Sequence, residues 1–121
     1  MAERISFLTH EGQRVMFIDF SGCKPKELLA ILDEVQHTIA LEAHDSLLTL
    51  VDFSGAHLDR EVATRIKEVL TRDRPFVKRS AWLGKDSLPK VYFENFKSFS
   101  RREIALFDTR AEAVEWLVKK Q

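Results

Sequence analysis

Leu50-Val51-Asp52-Phe53-Ser54-Gly55 repeats the pattern of Phe17-Ile18-Asp19-Phe20-Ser21-Gly22, 33 residues further along the chain: two apolar residues, then Asp, Phe, Ser, Gly. Each copy closes an apolar run with residues that favour turns, which reads as the carboxyl end of a β-strand. An offset of this size is one β-α unit. If the two strands are neighbours, both turns lie side by side at the carboxyl edge of one sheet, where open α/β folds carry their sites.

Working outward, Ile5 to Thr9 and Arg14 to Phe20 flank a polar turn, His10-Glu11-Gly12-Gln13, and read as a β-hairpin with an edge strand followed by an internal one. Pro25 opens a helix whose apolar face is Leu28, Leu32, Val35 and Ile39. Ser46 to Phe53 is the next strand. Asp59 is placed to cap a helix with Val62, Ile66, Val69 and Leu70 inward, and Glu61–Arg65 and Glu68–Arg72 are spaced as ion pairs on its wet face. Pro75 ends that helix, Phe76 to Leu83 is a strand, and Pro89 begins a helix bearing Tyr92, Phe93, Phe96 and Phe99. Glu103 to Phe107 is the last strand, and Thr109 with Glu112 forms a capping box for a final helix. The expected architecture is a single α/β domain over residues 1–121. Its sheet is mixed but mostly parallel, with about five strands, an N-terminal β-hairpin and about four helices. Val15, Phe17, Leu48, Leu50, Ile104 and Leu106 are expected in the core.

The chain has 121 residues, and its 19 basic and 19 acidic side chains cancel. No overall field draws it to nucleic acid or to an anionic membrane. The charge is nevertheless unevenly spread: residues 72–102 hold 9 basic against 3 acidic side chains. One cysteine, Cys23, excludes an internal disulfide, the N-terminal residues lack a secretory h-region, and no apolar run approaches the roughly 20 residues of a membrane span. A soluble, cytoplasmic protein is expected.

The hairpin, the long helix and Leu48-Thr49-Leu50-Val51-Asp52-Phe53-Ser54-Gly55-Ala56 leading into another helix resemble the STAS domain of bacterial anti-sigma-factor antagonists. The ending, Leu106-Phe107-Asp108-Thr109-Arg110-Ala111-Glu112-Ala113-Val114-Glu115-Trp116-Leu117, is similar to the SpoIIAA-like branch. The resemblance spans nearly the whole chain and implies a protein-docking module. In the antagonists an Asp-Ser-Ser-Gly motif starts the helix after the turn, and a serine there is phosphorylated to control binding of a partner kinase. Here that stretch is Asp59-Arg60-Glu61-Val62, so the phosphoacceptor serine is absent and Glu61 stands at the acceptor position. Glu61 then either supplies a fixed negative charge or is a surface residue paired with Arg65.

Other residues bear on catalysis and metal binding. Asp19 and Asp52 at strand ends suit phosphoryl chemistry, but no adjacent acidic pair for Mg²⁺ accompanies them, and hydrogen bonding to their own Ser-Gly turns explains them. Cys23 and His57, just beyond the two turns, are the types needed for a nucleophile and its base, without any local signature of a hydrolase. His10, His37, His44 and His57 show no metal-ligand spacing. No catalytic residue, cofactor or metal is therefore expected. The favoured reading is a non-enzymatic binding or regulatory module that docks a protein partner, with possible homo-oligomers. Its binding edge is Ser21, Gly22, Cys23, Lys24, Ser54, Gly55, His57, Asp59, Arg60 and Glu61. The alternative is a carrier or sensor of a small apolar ligand. STAS-like folds resemble the lipid-binding domain of the Sec14 group, and Tyr92, Phe93, Phe96 and Phe99 are then the pocket lining, though the same spacing serves a core-facing stripe. A small hydrolase or phosphoryl-transfer enzyme at the strand-end edge is the remaining option.

Overall fold

The computed structural model describes residues 3–119. The elements run β1 (Ile5–His10), β2 (Gln13–Asp19), α1 (Pro25–Ile39), β3 (Leu47–Asp52), α2 (Arg60–Arg72), β4 (Val77–Leu83), a short 3₁₀ turn (Lys85–Ser87), α3 (Lys90–Ser100), β5 (Glu103–Phe107) and α4 (Arg110–Lys119). The strands form one sheet in the order β1-β2-β3-β4-β5, antiparallel only between β1 and β2. The mixed, mostly parallel α/β architecture is the one the sequence pattern implied.

Sequential strand order explains the layering. Three successive crossovers stepping the same way across the sheet, each with the usual right hand, must leave α1, α2 and α3 on one face. That face packs Met16, Ile18, Leu28, Leu32, Val51, Ile66, Trp82 and Phe96 into the larger core. The other face would be bare without α4, which places Ala113, Val114, Leu117 and Val118 on Val15, Leu48, Leu50, Ala81 and Leu83. Alternation along the strands supplies both cores at once, so β3 is buried at five consecutive positions, Leu47 to Val51.

Four of the six residues expected in the core, Val15, Leu48, Leu50 and Ile104, are buried, whereas Phe17 and Leu106 are half-buried. The ten-residue α4 does not cover the whole outer face, and Arg110 lies over the Phe17 ring at 4.4 Å. Leu106 belongs to β5, an edge strand. Phe20 and Phe53, expected inside strands, lie one residue beyond them, at the first corner of each turn. Among the described residues, no helix is long and apolar enough to cross a membrane.

Candidate functional site

The two repeated turns meet. β2 and β3 pair in parallel with Asp19 opposite Asp52, which brings both Asp-Phe-Ser-Gly segments to the carboxyl edge in register. Each position of the repeat has a defined physical task. The Asp19 carboxylate accepts from Ser21 N at 2.9 Å and from Ser21 Oγ at 2.6 Å, and Asp52 accepts from Ser54 N at 2.9 Å. These are local turn bonds of the kind aspartate favours. Phe20 and Phe53 turn inward and pack with ring centroids 5.2 Å apart, and Phe53 continues onto Trp82 at 5.0 Å. Gly22 and Gly55 take positive φ of 66° and 71° at the third position of turns closed by Cys23 N to Phe20 O and Ala56 N to Phe53 O.

Backbone hydrogen bonds then lock one turn to the other. Phe20 N donates to Asp52 O, Gly22 N to Ser54 O and His57 N to Cys23 O, all at 2.9 Å. The outward groups of this platform are Gly22, Lys24, Ser54, Gly55, His57, Asp59, Arg60 and Glu61, all exposed, with Ser21 half-buried. Asp59 caps α2 by accepting from Val62 N at 2.8 Å. Glu61 stands in the first turn of α2, exposed, but Arg65 does not serve it. Arg65 reaches across to α1, donating to Asp33 Oδ1 and Gln36 Oε1 at 2.8 Å each, which corrects the pairing expected from i,i+4 spacing. A shallow groove between α1 and α2, lined by Leu29, Arg60, Glu61 and Thr64, opens beside the edge.

Cys23 and His57 are joined by a backbone bond, and among the described residues no hydrogen bond links their side chains. Cys23 is 1% exposed, and burial pushes its thiol up, partly opposed by Arg4 and reinforced by Glu27 and Asp19. A thiol held in its neutral form is a poor nucleophile. Asp19 and Asp52 are engaged by their own turns, and the nearby cation Arg4, 3.6 Å from Asp19 Oδ2, also donates to Ser21 O at 2.9 Å. The edge is thus a braced surface in which Cys23 is buried and both aspartates bond their own turns.

Three bracing groups lie outside the repeat itself. Arg4 clamps the first turn, Ser87 Oγ accepts from Gly55 N at 2.7 Å, and Gly84 passes against the second turn, where a Cβ would lie 2.4 Å from Ser54 N. Gly84 alone carries a legible signal: a glycine directly after a strand, here at φ +90°.

The aromatic helix α3 lends part of its apolar stripe to the core. Phe93 and Phe96 are buried against Trp82, Tyr92 stacks on Phe96, and Phe99 is exposed with Lys67 over its ring. None of the four lines the interior cavity, a space of about 40 Å³ bounded by residues such as Leu32, Val51, Ile66 and Trp82, with Asp73 and Arg102 among its polar members. Distant from the edge, His10, Glu11 and Glu115 converge at the hairpin turn. His10 Nε2 lies 2.9 Å from Glu115 and 3.4 Å from Glu11, and Lys119 binds the other Glu115 oxygen. Hydrogen bonds with Lys119 and His10 lower the Glu115 carboxyl, and the His10–Glu115 contact ties the hairpin to α4.

Comparison with known proteins agrees with this geometry at the level of fold. The chain is similar to an uncharacterised protein of the DUF3478 family with a SpoIIAA-like fold from Shewanella loihica PV-4, with a TM-score of 0.74 at 16% identity over 93% of this chain and 91% of that one. It is also similar to an anti-sigma-factor antagonist (STAS) domain protein from Planctomyces limnophilus, with a TM-score of 0.61 at 14% identity over 95% and 98% of the two chains. No family model matches the sequence. No curated protein matches it either. The chain has the STAS, SpoIIAA-like fold.

Proposed function

We propose that the protein is a non-enzymatic, cytoplasmic binding module of the STAS type that docks a protein partner on the edge formed by Ser21 to Lys24 and Ser54 to Glu61. The observation that supports this most is the locking of the two turns by three interturn backbone bonds. Such a platform meets a partner with little ordering of its own backbone, which lowers the entropy lost on binding. Glycines at its crest let a partner's main chain approach closely, and Lys24 and Arg60 provide cations beside it. With Glu61 where the antagonists carry their phosphoacceptor, the charge at this position is permanent, and docking does not wait on a kinase.

The test is Lys24→Glu with Arg60→Glu in one chain, compared with wild type by affinity capture from the native host and by melting curves. Specific partners are expected to be lost while the melting midpoint stays nearly unchanged, because exposed substitutions cost within about 0.5 kcal/mol. Recovery of the same partners at equal yield by the folded double variant would exclude this edge as the docking surface.

A further inference from the structure

Asp73 closes the C-terminal end of α2 and is 5% exposed, yet among the described residues no protein group donates a hydrogen bond to its carboxyl. Arg102, just ahead of β5, donates through Nη2 to Leu70 O at 3.1 Å, while its buried Nε has no partner. The two side chains attract each other without forming a direct ion pair, and both line the interior cavity. Thr49 and Ser80, whose hydroxyls bond one another on adjacent strands, line the same space. A buried Arg102 Nε–H without a partner, on the wall of a cavity that Asp73 also lines, indicates that something in the cavity pairs it.

We propose that this cavity is an internal hydration site, in which bound water bridges the Asp73 carboxyl to the Arg102 Nε–H and reaches the Thr49–Ser80 hydroxyl pair. Size admits water. A cavity of about 40 Å³ exceeds the roughly 10–15 Å³ that one water needs. Chemistry favours it. The occupant must accept from Nε–H and also pair with a carboxyl, and water both accepts and donates, with about two to four partners. Thr49 and Ser80 give a second water the further partners it needs in a space otherwise walled by apolar side chains.

The experiment is a crystal structure of the wild-type protein, with a second crystal under xenon pressure. Ordered water within hydrogen-bond distance of both Asp73 and Arg102 Nε, with no xenon in the cavity, is expected. An Asp73→Leu, Arg102→Met variant removes both polar anchors and is expected to exchange water for xenon. Xenon bound in the wild-type cavity, an elongated organic molecule there, or a direct Asp73–Arg102 ion pair that closes the space would each overturn the proposal. Should the variant fail to fold, the two wild-type crystals decide the matter alone.

Discussion

Replacing Gly84 by alanine puts a methyl group where the structure has no room for one. The added Cβ would stand 2.4 Å from Ser54 N, 2.6 Å from Phe53 C and 2.9 Å from Ser54 Cα, all backbone atoms that cannot rotate aside. Alanine would also have to hold φ +90°. The left-handed backbone costs about 1–2 kcal/mol, and overpacking against a fixed segment about 1–3 kcal/mol, so the total is roughly 2–5 kcal/mol. At about 4 °C per kcal/mol for a domain of this size, the melting midpoint should fall by about 10–20 °C. Gly12→Ala separates the two contributions. Gly12 has φ +76°, and a methyl group added there would meet nothing within 4 Å, so only the backbone cost of about 1–2 kcal/mol applies. Differential scanning calorimetry of both variants gives the comparison, and amide spectra should show the Gly84 change at Ser54, Gly55 and, through the interturn bond, Gly22. Equal melting midpoints for the two variants would refute the claim that Gly84 braces the second turn.

Two further outcomes concern the interior. Asp73 keeps its proton in the folded chain up to about pH 7 because burial raises its carboxyl, against the pull of Arg102, with Arg74 the other cation close by. The unfolded carboxyl ionises near pH 4, so between about 4 and 7 the unfolded chain binds fewer protons and stability falls as pH rises. Asp73→Asn should flatten urea midpoints measured from pH 5 to 8 and raise stability at pH 8 by up to about 4 kcal/mol, less where cavity water solvates the carboxylate, whereas parallel curves would contradict this. Phe96 is fully buried beneath Trp82 and Tyr92, and Phe96→Ala should cost about 3–5 kcal/mol in chemical denaturation; a loss below about 1 kcal/mol would mean that α3 does not pack as described.

The fold was legible because the Asp-Phe-Ser-Gly repeat marks two strand ends and because the separation of the copies leaves room for only one crossover. The position of the edge residues followed from it. What was not legible depends on contacts between segments far apart in the chain. Arg65 has Glu61 within helical reach and still turns to Asp33 and Gln36 on another helix. The aromatic spacing of α3 is the same for a core stripe and for a pocket wall, and only the position of Trp82 decides that Phe93 and Phe96 are core. Nothing in the local pattern indicates that α2 and the start of β5 enclose Asp73 and Arg102 around one cavity.

The central claim is that a protein partner sits on the paired turns, and site-specific photocrosslinking in the native host tests it most directly. A photoreactive amino acid is placed in turn at Lys24, at Arg60 and, as a control at the opposite end of the sheet, at Gln13. One discrete crosslinked partner, shared by the Lys24 and Arg60 positions and absent at Gln13, is the predicted result. No adduct at either edge position, or the same adduct at all three, would contradict it.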